Sequence, residues 1–295
     1  MSIFIDRDSR ILVQGITGKE GAFWTKHMIE LGTNVVCGVT PGKSGETVEG
    51  KPVYHTVKEA LRHHQVDASM LFVPPKFTKD AVFEALTNGI KKIVTIADGI
   101  PLHEMVRIRQ AAKDYDALVI GGNTSGVISP ELAMMGSFPH WIKRVYKKGS
   151  IGVMTRSGSL TNEVTAMIVE RGYGVSTLIG VGGDPVPGTR FAEMLPYYEA
   201  DDETKAVVII GELGGTMEEE VAEMIQQGKF TKPLVAFLGG RTAPKGQKMG
   251  HAGAIITGGK GSVEDKIEAL TKVGALVASR PRLVGTLLEE LNVPK

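Results

Sequence analysis

The chain has one cysteine in 295 residues, Cys37. A disulfide framework and a cysteine-rich zinc site are therefore excluded, and no metal-ligand cluster is expected. Cys37 lies in the apolar run Val35-Val36-Cys37-Gly38-Val39 and reads as a small buried hydrophobe. Charge of one sign is also missing: 34 Lys and Arg face 33 Asp and Glu, a net charge of +1. That leaves no basic field for nucleic acid and no acidic tail. No apolar stretch approaches the roughly 20 residues of a membrane span, so no membrane partner is expected. The opening Met1-Ser2-Ile3-Phe4-Ile5-Asp6 turns strand-like at once and leaves no room for a signal peptide. A soluble, reducing, cytoplasmic setting is the expectation.

What is present is alternation. Short β-branched runs at 10–14, 35–39, 69–73, 91–96 and 117–120 read as strands. Helical patterns at 21–31, 57–63, 78–88 and 102–115 fall between them. Such alternation predicts right-handed βαβ units on a parallel sheet. Residues 1–122 thus read as one doubly wound, Rossmann-like domain. Residues 123–149 carry Pro130 and Pro139 and lack a period, and they read as an inter-domain linker. Alternation restarts with strands expected at 151–155, 206–210, 233–238 and 276–278. Helices are expected at 161–171, 217–227, 263–273 and 281–291. Residues 150–295 therefore read as a second parallel α/β domain, flavodoxin-like in element order.

The first strand runs into Gly15-Ile16-Thr17-Gly18-Lys19-Glu20-Gly21 and then a helix. Glycines at this spacing let backbone approach a phosphate, and the helix start supplies N–H donors. NAD enzymes place an acidic ribose ligand about 20 residues further on. Here the second strand ends in Gly38-Val39-Thr40-Pro41-Gly42-Lys43, with no carboxylate before Glu46. Lys43 suits an extra phosphate better than a bare ribose diol. Coenzyme A, with its 3′-phosphate, fits better than NAD, and an NAD-dependent oxidoreductase is disfavoured.

His251 sits in Lys248-Met249-Gly250-His251-Ala252-Gly253-Ala254, with Gly258-Gly259-Lys260-Gly261 close behind. An imidazole can attack phosphorus with one nitrogen while the other donates a hydrogen bond that fixes the tautomer. A histidine among glycines is thus a candidate phosphoryl carrier, against the plainer reading of a surface turn. Arg156-Ser157-Gly158-Ser159 follows a strand and opens a helix. Ser157, Gly158 and Ser159 could cradle an anion there, although Ser157 alone would read as an N-cap. No GxSxG motif is present at this turn, which argues against a serine hydrolase. Glu218-Glu219-Glu220 reads as a charged first helical turn in favourable contact with the helix dipole, needing no further role.

Together these segments resemble the α subunit of succinyl-CoA synthetase, the ADP- or GDP-forming succinate–CoA ligase. The resemblance runs from Ile3 to about Leu291. It rests on Val13-Gln14-Gly15-Ile16-Thr17-Gly18, Gly38-Val39-Thr40-Pro41-Gly42-Lys43, Arg156-Ser157-Gly158-Ser159-Leu160-Thr161, Gly182-Gly183-Asp184-Pro185, Gly211-Glu212-Leu213-Gly214-Gly215, and Ala243-Pro244-Lys245-Gly246 leading to Gly250-His251-Ala252-Gly253-Ala254.

The resemblance implies an acyl-CoA made from an acid, CoA and NTP through an acyl phosphate and a phosphohistidine, a reaction of the tricarboxylic acid cycle. It makes His251 the phosphorylated residue and Glu212 its hydrogen-bonding carboxylate. It puts CoA on Thr17, Gly18, Lys19, Glu20, Lys43, Ile96, Ala97 and Asp98. It also implies a separate β subunit that binds the NTP with Mg2+, in an αβ or α2β2 assembly. The chain lacks a P-loop lysine pattern of its own, in keeping with that division.

Two departures bear on the acid. Asn123-Thr124-Ser125-Gly126 stands where the family has Asn-Cys-Pro-Gly. Asn162 stands where succinate enzymes carry tyrosine, and asparagine is similar to the citrate-activating relatives, ATP-citrate lyase and citryl-CoA synthetase. An amide frees volume and can bond a hydroxyl or an extra carboxylate. Succinate is the first expectation, with citrate or another di- or tricarboxylate as the alternative. A non-catalytic CoA-binding protein is the alternative of another class.

Overall fold

The computed structural model describes residues 3–241, 251–255 and 261–295. The chain divides into two compact units.

The first unit holds Phe4–Phe138 together with Val186–Thr189. Its elements are β1 (Ile11–Gln14), α1 (Lys19–Leu31), β2 (Val35–Val39), β3 (Thr47–Val48), β4 (Lys51–Tyr54), α2 (Val57–Ala60), β5 (Ala68–Leu71), α3 (Pro75–Thr87), β6 (Lys92–Thr95), α4 (Leu102–Asp114), β7 (Leu118–Ile120), β8 (Gly126–Ser129) and β9 (Ala133–Gly136). The sheet order is β3-β4-β2-β1-β5-β6-β7, parallel except for the short β3–β4 hairpin. Without β3 the order is three-two-one-four-five-six, the doubly wound Rossmann topology. Strands buried on both faces are what a parallel sheet under helices demands, and β1 and β5 are buried at every position. Cys37 is fully buried in this core, and desolvation pushes its thiol up to about 12.

Register defines the edge that matters. Gln14 pairs with Val39 and with Leu71, and Leu71 pairs with Thr95. The strand ends therefore form one row, and the turns after β1, β2 and β6 leave from the same carboxyl edge. In open α/β sheets that edge, at the point where strand order reverses, is where ligands bind. Here the reversal lies between β1 and β5.

The second unit holds Pro139–Pro185 and Arg190–Lys295, with the first three residues. It contains β10 (Lys148–Thr155), α5 (Gly158–Glu170), β11 (Val175–Gly180), α6 (Phe191–Ala200), β12 (Ala206–Glu212), α7 (Met217–Gln226), β13 (Leu234–Gly239), α8 (Val263–Lys272), β14 (Leu276–Ala278) and α9 (Val284–Glu290). These five strands lie in the order β14-β13-β12-β10-β11 and pair in parallel. That is two-one-three-four-five, the flavodoxin-like order. The α/β class expected from the alternation is what the chain adopts.

Some elements differ from the expectation. The segment 123–149, read as a linker, contains the antiparallel hairpin β8–β9. Its strands are hard to see because β9 has no β-branched residue and β8 offers only Val127 and Ile128 between Gly126 and Ser129. The irregular tract after β9 falls at the junction of the two units. α2 stops at Ala60 rather than 63. β11 and α6 had no counterpart in the pattern; β11 is uniformly buried, and α6 carries Pro196 inside it, a residue that reads as a breaker.

The glycine turn is sterically committed. Gly15 has φ +77°, and a Cβ there would lie 2.4 Å from the Phe72 carbonyl oxygen. A Cβ on Gly21 would lie 2.2 Å from the Gly15 carbonyl oxygen. Gly21→Ala is therefore expected to destabilise the protein by about 1–3 kcal/mol through overpacking against backbone. Chemical denaturation reads this directly, and an unchanged midpoint contradicts the packing assignment.

Candidate functional site

The carboxyl edge of the second sheet gathers the chemistry. Thr155 pairs with Ile210 and with Gly180, so Arg156, the 181–184 turn, Glu212 at the end of β12 and the turn after it all leave the same edge. This sheet reverses order between β10 and β12, again the position that favours a site.

His251 lies over that reversal. The segment is docked by main chain: Gly253 N–H donates to the Gly183 carbonyl at 3.0 Å, and Ala254 N–H donates to the His251 carbonyl at 3.1 Å. A Cβ on Gly183 would lie 2.4 Å from Cγ of the ring, so the imidazole rests on bare peptide. Glu212, the last residue of β12, places Oε2 2.9 Å from Nδ1 of His251. A carboxylate only accepts, so Nδ1 carries the proton and donates. Nε2 is left with its lone pair, the form a nucleophile needs. The Glu212 hydrogen bond raises the His251 pKa above the ordinary 6.5, against desolvation and the nearby Arg156 charge; Asp184 adds to the rise.

Behind the histidine is a chain of buried charge. Arg156 is 3% exposed. Its Nη2 lies 3.4 Å from Glu212 Oε1 and its Nη1 3.6 Å from Glu218 Oε1. Nη1 also donates to the carbonyls of Gly214 at 2.8 Å and Glu212 at 3.3 Å. Glu218 is fully buried and paired with the equally buried Lys266 at 2.5 Å. Glu218 does lie in the first turn of α7 as read, but it is buried and paired and does not merely complement the helix dipole. It is on the inward face of α7, and Gly211 makes room for it, since a Cβ there would lie 2.3 Å from Glu218 Oε1. Lys266 was missed altogether. Its spacing from Val263 and Leu270, the other buried residues of α8, was the available signal.

The other expected residues have definite places. Ser157 is the N-cap of α5, accepting from Leu160 N–H at 3.4 Å, with Ser159 Oγ also 3.4 Å from its hydroxyl. Gly158 and Ser159 are exposed at the helix start. Arg156 turns inward and does not join them. Asn162 is further along α5, where its Oδ1 accepts from Tyr146 at 2.5 Å. It lines a groove of about 650 Å³ with Ile142, Val145 and Ala166, in which none of His251, Glu212 or Arg156 takes part. Residues 242–250 and 256–260, which include the Ala243-Pro244-Lys245-Gly246 motif and Gly258-Gly259-Lys260, lie outside the described residues.

In the first unit, Thr17, Gly18, Lys19 and Glu20 form the turn and first residues of α1. Gly18 is its N-cap and offers no side chain, so its first N–H groups are left to a ligand or water. Glu20 Oε2 accepts from the Trp24 indole N–H at 3.1 Å. Lys43 is exposed and held by Glu46 at 2.8 Å. Ile96, Ala97 and Asp98 follow β6, with Asp98 exposed. By register these three segments all leave the carboxyl edge of the sheet.

Comparison with known proteins decides the family. Residues 6–99 match a CoA-binding domain and residues 154–276 a CoA-ligase domain. The chain is 80% identical, over the full length of both, to the ADP-forming sulfoacetate–CoA ligase subunit SqwL of an Acholeplasma species. It is 70% identical to subunit SauD, of the same name, from Bilophila wadsworthia, over 99% of each chain. The chain belongs to the NDP-forming acid–CoA ligases, as an α-type subunit. The Staphylococcus aureus succinate–CoA ligase α subunit is 46% identical over 98% of this ligase subunit and 95% of its own length. The family is therefore as expected, while the expectation of succinate, and with it the tricarboxylic acid cycle, is not supported. A Methanosaeta concilii ATP citrate lyase in complex with (3S)-citryl-CoA has a TM-score of 0.87 at 24% identity, covering 98% of the subunit and 52% of that chain; it shows a shared fold. Among the described residues no helix is long and apolar enough to cross a membrane.

Glu212→Gln removes the strongest cause of the raised His251 pKa. The midpoint of the imidazole, followed by NMR of its Cε1 proton, is expected to fall, so that Nε2 stays deprotonated to lower pH. An unmoved midpoint would refute the assignment of Glu212 as the controlling group.

Proposed function

We propose that this chain is the CoA-binding, phosphohistidine-bearing subunit of an ADP-forming sulfoacetate–CoA ligase. The observation that carries the chemistry is the 2.9 Å bond from His251 Nδ1 to Glu212. It leaves Nε2 as a nucleophile with a carboxylate behind it, and so opposes a non-catalytic CoA-binding reading. Sulfoacetate as the acid is supported by identities of 80% and 70% to two subunits of that name, against 46% to the succinate enzyme.

The sequence of events follows from the groups. A β subunit binds ATP with Mg2+ and presents its terminal phosphoryl group. His251 Nε2 forms the bond to phosphorus as the bond to the departing ADP breaks. Glu212 then faces a ring whose two nitrogens are both substituted, and its charge stabilises that cation. Exposed N–H groups at Gly158 and Ser159, at the start of α5, offer the phosphoryl oxygens donors. The carboxylate of the acid displaces His251 from phosphorus and becomes an acyl phosphate. The CoA thiolate attacks its carbonyl, and inorganic phosphate leaves. CoA is held by the turn Thr17, Gly18, Lys19 and Glu20, by Ile96, Ala97 and Asp98, and by Lys43 at the 3′-phosphate. The steric closure of the glycine turn fits a ligand lying against backbone.

Co-expression with its β partner supplies the test. Terminally labelled ATP is expected to leave acid-labile label on this chain, and His251→Ala to abolish it; absent label, or label surviving that substitution, overturns the carrier role. Steady-state kinetics on sulfoacetate, succinate, citrate and malate should favour sulfoacetate by about 100-fold or more in kcat/KM, the scale at which a dedicated polar site separates analogues. A preference for succinate or citrate overturns the choice of acid.

Lys43→Ala is expected to raise KM for CoA about tenfold, one charge-assisted contact, and to leave KM for dephospho-CoA unchanged. Equal effects on both would remove Lys43 from the 3′-phosphate.

A further inference from the structure

Two fully buried residues of α7 and α8, Glu218 and Lys266, have no place in the reaction above. Their burial is not explained by stability. Buried ion pairs gain little over well-packed apolar residues of equal volume, because desolvation offsets the attraction. Buried charge in unbroken contact with a reactive group is instead placed to position that group.

The contacts form a continuous relay. Lys266 Nζ binds Glu218 Oε2 at 2.5 Å, Glu219 Oε2 at 2.9 Å and the Gly215 carbonyl at 3.0 Å. Glu218 Oε1 faces Arg156 Nη1 at 3.6 Å and accepts the Glu212 backbone N–H at 3.2 Å. Arg156 Nη2 faces Glu212 Oε1 at 3.4 Å, and Glu212 Oε2 holds His251. Glu218 thus grips Glu212 twice, once through its own peptide and once through Arg156. Three carboxylates face two fixed cations in this chain of contacts. With Asp184, which also faces His251, carboxylates outnumber the two fixed cations and favour a cationic imidazole ring.

We propose that Glu218 and Lys266 are positioning residues for phosphoryl transfer: through Arg156 they set where the Glu212 carboxylate sits and how much negative charge it presents to His251. This rests on His251 being the phosphoryl carrier. The relay makes a signed statement. The charged groups facing His251 among the described residues are Glu212 from β12, Arg156 after β10 and Asp184 after β11. Glu218 and Glu219 from α7 and Lys266 from α8 stand behind them. Removing the negative charge of Glu218 frees Arg156 to draw more on Glu212, so His251 becomes less basic. Removing the positive charge of Lys266 leaves Glu218 to compensate Arg156 more fully, so His251 becomes more basic.

The test uses the assembled complex with isotope-labelled histidine. Glu218→Gln is expected to move the His251 midpoint down, and Lys266→Met to move it up, each by about half a unit or more. Single-turnover phosphorylation should fall about tenfold in both, with KM for CoA unchanged.

Lys266→Met leaves a buried carboxylate and can fail to fold. The charge-balanced Glu218→Gln, Lys266→Met double variant then decides. It should fold, return the midpoint towards the parent value and still phosphorylate slowly, because Arg156 has lost its anchor. A folded double variant with the parent rate, or single variants with an unmoved midpoint, overturns the proposal. If the parent carries no label on His251 while the midpoints still move in opposite directions, it is the carrier assignment that fails and not the relay.

Discussion

Glu212 has two carboxylate oxygens, and the structure gives each a different neighbour. Oε2 accepts the hydrogen bond from His251 Nδ1–H, while Oε1 faces the buried guanidinium of Arg156. That division places a histidine of defined tautomer over the carboxyl edge of a parallel sheet. Everything else in the second unit follows from keeping that carboxylate still. β12 delivers it at its last residue, Arg156 is fixed by main-chain carbonyls, and glycines at 183 and 211 yield space that any side chain would fill. A carboxylate buried this deeply is stable only with a fixed partner, and Arg156 is that partner.

Much of this was legible beforehand, for physical reasons. The strands of both sheets are β-branched and apolar because helices cover both faces, and the helices between them have their own period. The glycine turn was legible because close backbone approach admits no Cβ. His251 was legible because glycines surrounded it. What escaped has equally physical causes. β9 has no β-branched residue, β8 offers only Val127 and Ile128 between Gly126 and Ser129, and Ser176 and Thr177 interrupt the apolar run of β11. α6 tolerates a proline. Glu218 was hidden by its neighbours: three consecutive glutamates read as a first turn complementing the helix dipole, and the fold shows that one of them points inward to Lys266.

The choice of acid was the least legible feature. Asn162 was the residue in which citrate or succinate was sought, yet it shares a hydrogen bond with Tyr146 in a groove away from the charged relay. Discrimination among small dianionic acids turns on a few contacts, and a one-residue departure along a helix is weak ground for it. Full-length identity to two subunits named for sulfoacetate is what supports the proposed acid.

Gly183 deserves a last consideration as the floor under the imidazole. A ring packed on side chains can be displaced when a neighbour changes rotamer. A ring packed on a peptide plane cannot, since that plane has no rotamers. The floor under His251 therefore stays in place when neighbouring side chains change rotamer. The ring is thus seated on backbone from below and held by the Glu212 carboxylate at Nδ1.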